Sequence, residues 1–433
     1  MAALPQVKYT GKIREIKFGK PGSEVVVGGE TGYNFYSFEG KMPHAPVLAL
    51  QILDIEPEEW AAEALEPFKD VLKDPVAWAK KCVEVYKADA VCLWLTGTDP
   101  NGKNLGADHA AEVAKKVADA INVPLIVWGV SNDERNTETL KAICEACEGK
   151  NLVIGPVTEN NYKQVGAAAI AYKHVVAANT PIDINLAKQL NILLENLGVP
   201  NDRVLIDPTT GGVGYGMEYC YSIMERIRQA ALTQNDDKLQ YPIVNNIAEE
   251  VWKTKEAKLP TNEEPKLGDA AIRGVNLEAI TAISSLQAGS DVLILRHPKS
   301  LEHIRKYLGE IMTPADLDSM KVDLSLIAEA AKPAAAPAAA AAKPAAAPKP
   351  AAAPKAEKPA PKIAAVPKPA EKVEEAPKPK VVPKKEVPAA AAEGIELELT
   401  EEEVQALREM VAMFRAVKNM FGGLAKLIQN PPK

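Results

Sequence analysis

Residues 204–219 read VLIDPTTGGVGYGMEY, and the order of residue types is that of one β/α unit. Val204–Ile206 is a short continuous apolar run, as expected of a strand buried on both faces of a parallel sheet. Asp207-Pro208 ends the run, four glycines among residues 211–216 open a loop, and a helix is expected from near Met217 or Glu218. Working outward, similar runs occur at Val47–Asp54, Ala90–Leu95, Pro124–Trp128, Leu152–Ile154, His174–Ala178, Pro242–Val244 and Val292–Leu295. Helical segments with recognisable ends lie between them. Asp74-Pro75 opens DPVAWAKKCVEVYK with a capping side chain and a proline at the first helical position. Thr137 is expected to cap TLKAICEAC, while INLAKQLNILLENL and ISSLQA end at Gly198 and Gly289, the residue type a left-handed helix terminus favours. Eight strand–helix units in about 260 residues fit a closed (β/α)8 TIM barrel over 47–312. An open doubly wound sheet is the alternative.

The flanks differ from this pattern. In the first 46 residues, KIREIKF, EVVVGG and YNFYSF are short, β-branched or aromatic, and separated by glycines, which predicts a β-hairpin region closing the N-terminal end of the barrel. Residues 313–331 are expected to form a helical extension. From Lys332 to about Ala392 runs an Ala/Pro/Lys segment, where proline removes amide donors and alanine offers too little apolar surface for a core. A semi-stiff linker follows, with an upper reach on the order of 190 Å at about 3.1 Å per residue. In 393–433, Thr400 and Glu403 form a capping box, and Val404, Leu407, Val411, Phe414 and Phe421 fall on one stripe. A single helix cannot bury its own stripe, so this segment is expected to dock on a partner.

Charge and cysteine content narrow the function classes. The 332–388 stretch holds twelve Lys and five Glu, which leaves 39 basic against 53 acidic residues elsewhere. So acidic a globular part repels a phosphate backbone, which argues against nucleic acid as partner. No apolar run approaches the length that spans a bilayer, the N-terminus lacks a secretory apolar region, and five cysteines are an odd number, so a cytoplasmic chain with reduced thiols is expected. Only Cys144 and Cys147 form a CxxC, inside an expected helix, and neither HxH nor HExxH occurs. Neither a metal site nor an iron–sulfur cluster is therefore expected in this chain.

In such a barrel the working face is built from loops at the C-terminal strand ends. There the sequence places Asp54, Thr96-Gly97-Thr98-Asp99, Trp128-Gly129, Asp207 with Thr209, Thr210, Gly212 and Tyr215, then Asn245-Asn246 and Arg296. GGVGYG is neither a P-loop nor a dinucleotide fingerprint; its glycines either let the backbone approach a bulky ligand or merely turn a tight loop. Asp207 serves the loop or a ligand. The two asparagines could read a heterocycle edge or satisfy loop backbone. Arg296 could clamp a phosphate or carboxylate, or pair with a neighbouring acid. No nucleophile elbow and no strong acid–base pair are evident, so no catalytic residue is assigned.

VLIDPTTGGVGYGMEY and YPIVNN, with WLTGTDPNG (94–102) and IVWGVSNDERN (126–136), resemble the small (delta) subunit family of the archaeal corrinoid iron–sulfur protein, part of the acetyl-CoA decarbonylase/synthase complex. The resemblance covers 1–312 and implies a barrel related to pterin-binding methyltransferases. It implies a heterodimer with a larger gamma subunit that carries the iron–sulfur cluster, and a corrinoid held between the two. It further implies the acetyl-CoA synthase (beta) and CO dehydrogenase (alpha, epsilon) subunits as partners, with methyl passing between a methyl-tetrahydropterin and a nickel site. In pterin-binding barrels a strand-6 Asp and a strand-7 Asn touch the pterin, which here match Asp207 and Asn245 or Asn246. Thr98, Asp99, Trp128, Asp207, Thr209, Thr210, Gly212, Tyr215, Asn245 and Asn246 are the residues expected to line the corrinoid contact. A non-catalytic subunit is the primary expectation, and a stand-alone pterin-dependent methyltransferase the alternative.

Overall fold

The computed structural model describes residues 7–312; the expected extension, linker and docking helix of 313–433 lie outside the described residues. Two short strands, β1 (Ile16–Phe18) and β2 (Val25–Val27), pair antiparallel as a hairpin. Then follow β3 (Val47–Leu53), β4 (Ala90–Trp94), β5 (Leu125–Trp128), β6 (Val153–Val157), β7 (Val175–Asn179), β8 (Val204–Asp207), β9 (Ile243–Asn246) and β10 (Ser290–Leu295). These eight are parallel and close on themselves in the order β10-β3-β4-β5-β6-β7-β8-β9, so the described residues form a (β/α)8 barrel. The continuous apolar runs are the cause: every residue of β3, VLALQIL, is buried, which requires cover on both faces.

The helices are α1 (Ala62–Leu65), α2 (Pro75–Glu84), α3 (Ala107–Ala120), α4 (Asp133–Ala146), α5 (Tyr162–Tyr172), α6 (Ile184–Leu197), α7 (Met217–Thr233), α8 (Ile247–Lys253), α9 (Lys255–Lys258), α10 (Ala270–Gln287) and α11 (Pro298–Met312). Asp74 caps α2 as its sequence predicts, its carboxylate accepting from the amides of Val76 and Ala77. Gly198 ends α6 at φ 99°. Two expectations need correction. The α4 cap is Asn132, accepting from the Arg135 amide at 2.8 Å, and not Thr137, whose hydroxyl lies one turn inside and donates back to the Asp133 carbonyl at 2.7 Å. YNFYSF forms turns and not a strand; Tyr9, Tyr33, Tyr36 and Phe38 instead make a series of edge-on and tilted ring contacts.

The hairpin is fixed where the barrel strands begin. The Arg14 amide donates to the Gln240 carbonyl at 3.0 Å, the Gly19 amide to Asn151 at 2.8 Å, and Asn34 Nδ2 to Ser290 at 3.3 Å. Near Ser290, where the β9–β10 register shifts, Asp291 accepts the Ile243 amide at 2.6 Å and forms a fully buried ion pair with Arg228. Glu30 is buried in the same place.

Candidate functional site

At the opposite end, where the strands finish, the mouth holds two cavities on its two halves. The first, about 340 Å³, lies over β5 to β9 and is lined by Trp128, Pro156, Asn179, Asp207, Thr209, Thr210, Asn246, Glu249 and Glu250, with part of the loop after β5. That loop is pinned by Asn136, whose amide bridges the amide and carbonyl of Val130 at 2.8 and 2.7 Å. A Cβ at Gly129 would sit 2.1 Å from the Asn136 oxygen, so the close approach of α4 to the loop requires glycine there.

Asp207, the last residue of β8, is 2% exposed. One carboxylate oxygen accepts the Thr209 amide at 3.0 Å and the other accepts Asn179 Nδ2 at 2.6 Å. This turn holds Thr209 at φ 58°, a left-handed conformation costly for a β-branched residue. Burial pushes the Asp207 carboxyl up to about 7; the two hydrogen bonds oppose this and the charges of Glu249 and Glu250 add to it. Asn246 caps α8 through the Glu249 amide at 3.3 Å, while its carbonyl accepts the Thr210 hydroxyl at 3.2 Å. Asp133, Asp207, Glu249 and Glu250 all line this half, without a lysine or arginine among the lining residues. Chemically it is an acceptor-rich pocket, suited to a ligand that presents N–H or O–H donors.

Five of the ten residues singled out from sequence meet here: Trp128, Asp207, Thr209, Thr210 and Asn246. Asp99 lines the second cavity, on the β3, β4 and β10 half. Thr98 is buried, its hydroxyl donating to the Leu95 carbonyl at 2.8 Å. Gly212 packs within its own loop; a Cβ there would meet the Gly216 carbonyl oxygen at 2.6 Å and Cys220 Sγ at 3.0 Å. Tyr215 is 85% exposed. Asn245 is wholly buried, and neither end of its amide has a partner among the described residues. Asn179, Glu249 and Glu250 escaped the sequence reading. Asn179 carried a signal, a polar residue closing the apolar run HVVAAN, but the two glutamates look like an ordinary solvated helix start.

A family model described as CO dehydrogenase/acetyl-CoA synthase delta subunit matches residues 15–302. The chain belongs to this family. The delta family's curated relatives include the acetyl-CoA decarbonylase/synthase complex subunit delta of Archaeoglobus fulgidus, 34% identical over 316 residues that cover 70% of this chain and 69% of that one. The subunit of the same name from Methanocaldococcus jannaschii is 31% identical, over 71% of this chain and 76% of its own. Among solved structures, a dihydropteroate synthase from Xanthomonas albilineans superposes with a TM-score of 0.45 and 13% identity, over 70% of this chain and all of that one. As a delta-family member the chain is a subunit of the acetyl-CoA decarbonylase/synthase complex. Among the described residues no helix is long and apolar enough to cross a membrane, and no group of three or more His, Cys, Asp or Glu could hold a metal ion. The five cysteines are buried, and burial holds their thiols above the usual range.

Proposed function

We propose that the strand-end face of this barrel caps a corrinoid held from its other side by the gamma subunit, and that it takes part in methyl transfer between a methyl-tetrahydropterin and the nickel site of the acetyl-CoA synthase. The beta, alpha and epsilon subunits would be its further neighbours, in a cytoplasmic complex. The observation that carries the reading is the acceptor-rich half of the mouth. A corrinoid is rimmed by carboxamide side chains, and Asp207, Glu249, Thr210 and Asn246 offer the oxygens that such N–H groups seek. Trp128 adds an apolar surface beside them. None of the five histidines lines this cavity, which suits a barrel that covers the macrocycle without ligating its metal. A bound corrinoid would supply the methyl-accepting metal; the chain's own residues would hold the ring by its amides and exclude water.

The test is the cobalt content of the gamma–delta pair against gamma alone. Capping predicts that cobalt retention falls in the pair when Asp207→Ala and Trp128→Ala are combined, with the heterodimer still formed. Unchanged cobalt in an intact variant pair would count against it. The near-neutral carboxyl of Asp207 beside Asn179 and Asn246 also favours a second reading, a pocket for the pterin heterocycle itself. Transfer of methyl from methyl-pterin to free cobalamin by the purified chain alone would support that one.

A further inference from the structure

The second cavity, about 330 Å³, has a different chemistry from the first. Three indoles line it, Trp60, Trp94 and Trp252, together with Arg296 at the end of β10. Arg296 is 4% exposed, and its guanidinium lies 4.0 Å over the Trp60 ring. Its Nε and Nη2 donate to a neutral acceptor, Gln51 Oε1, at 3.1 and 2.9 Å. The nearby carboxylate, Glu278, is already taken by the Arg296 and His297 amides at 2.6 and 3.1 Å. Among the described residues no ion pair to this buried cation is formed, whereas Arg228, the fully buried arginine at the other end, has Asp291. Trp252 is 3% exposed and its indole N–H has no acceptor among the described residues; neither has the Gln51 amide nitrogen. Trp94 is fixed by its N–H on the carbonyl of Gly129, a residue that lines the first cavity, at 3.0 Å.

At the rim, Lys103 pairs with Glu58 and Lys253 with Glu249, so the surface charge there is largely compensated. The floor has no direct ion pair: Glu278 and Glu249 act on the Arg296 guanidinium only from beyond contact distance, and a ligand anion on the N–H groups that Gln51 leaves free would supply the contact the fold lacks. Indole faces add a surface for a flat ring, and the volume is within the range of small-molecule sites. The first cavity, lined by four carboxylates and no lysine or arginine, repels such an anion, whereas Glu56, Glu58, Glu59 and Asp99 of the second are matched by Lys103, Lys253, Lys258 and Arg296.

We propose that this half of the mouth is a second ligand site, taking a planar aromatic ring that carries a phosphate or carboxylate, with the anion on Arg296 and the ring among Trp60, Trp94 and Trp252. The assignment stands apart from the capping reading and needs no occupant in the first cavity. A nucleotide, in which a base and a phosphate share one ribose, and an aryl carboxylate both have this chemistry.

The experiment titrates the full-length chain, without other subunits, with adenosine monophosphate, adenosine, 4-aminobenzoate and inorganic phosphate, read by indole fluorescence and by calorimetry. At least one of the two ring–anion probes should bind tenfold or more tightly than adenosine or phosphate, and which one wins tells nucleotide from aryl carboxylate. Arg296→Gln should abolish that advantage. Should Arg296→Gln fail to fold, Trp60→Leu, at a half-buried ring, should weaken the winning probe by a similar factor. Equal affinity for ring, anion and ring–anion probes overturns the site, as does a folded variant that binds like the parent.

Discussion

Asp207 shows how burial and hydrogen bonding pull one carboxyl in opposite directions. Two donors favour its charged form, but desolvation outweighs them and leaves it near 7 instead of 3.8. A carboxyl raised on folding stabilises the fold fully below its unfolded value, and that contribution is lost as pH rises toward the folded one. Asp207→Asn keeps an acceptor for the Thr209 amide and carries no charge. Its melting temperature relative to the parent should therefore rise between pH 4 and 7 and stay level above. A difference that is constant across this range would show that the carboxyl does not titrate there. The same residue imposes the left-handed conformation at Thr209, so the loop behind it is strained where a ligand would sit.

At the scale of the element, helix starts decide where the rim loops end. Because Asn132 caps α4, residues 133–136 are helix, and Asn136 can reach back to hold Val130. Asn132→Ala should cost about 1 kcal/mol in urea unfolding, with the m-value unchanged. Thr137→Ala, one turn inside, should stay within about 0.5 kcal/mol. The reverse order would return the cap to Thr137. This boundary was hard to read because both Asn132 and Thr137 precede acidic residues and an apolar repeat; only the backbone geometry separates them. The α2 and α6 ends were legible, since Asp74-Pro75 and Gly198 each have one low-cost role.

At the scale of the whole molecule, the two ends of the barrel carry buried charge differently. At the hairpin end Arg228 and Asp291 pair, and beside them the buried Glu30 is pushed up to about 8 by burial and by the Asp291 charge. Its folded value exceeds the unfolded one, so the stability tied to its protonated form is lost as pH rises from about 4.5 to 8. Glu30→Gln should match the parent within about 1 kcal/mol near pH 5 and exceed it above pH 8, in melting temperatures taken across that range. A parent that stays the more stable at pH 9 would mean that Glu30 is not a buried acid. The hairpin end thus keeps its charges paired or neutral, while the mouth leaves Arg296 without a direct ion pair and Asp207 poised, a division expected of a stable base and a working rim.

Eight buried strands, their parallel closure and the glycine-opened loop after β8 were all legible along the chain, because burial on both faces and chain reversal each demand residue types that few other contexts tolerate. Residue type could also name Asp207, Asn246 and Arg296 as rim candidates. It could not divide the rim into an acidic half and an indole–guanidinium half. That division depends on which strands become neighbours when the barrel closes: β10 beside β3, with β4 next in order, gathers Arg296, Trp60 and Trp94 on one half, and β7 beside β8 brings Asn179 to Asp207. Nor could it foresee that Thr98 and Gly212 would be used up inside their own loops, because a side chain's direction there follows from turn geometry and packing rather than from residue type.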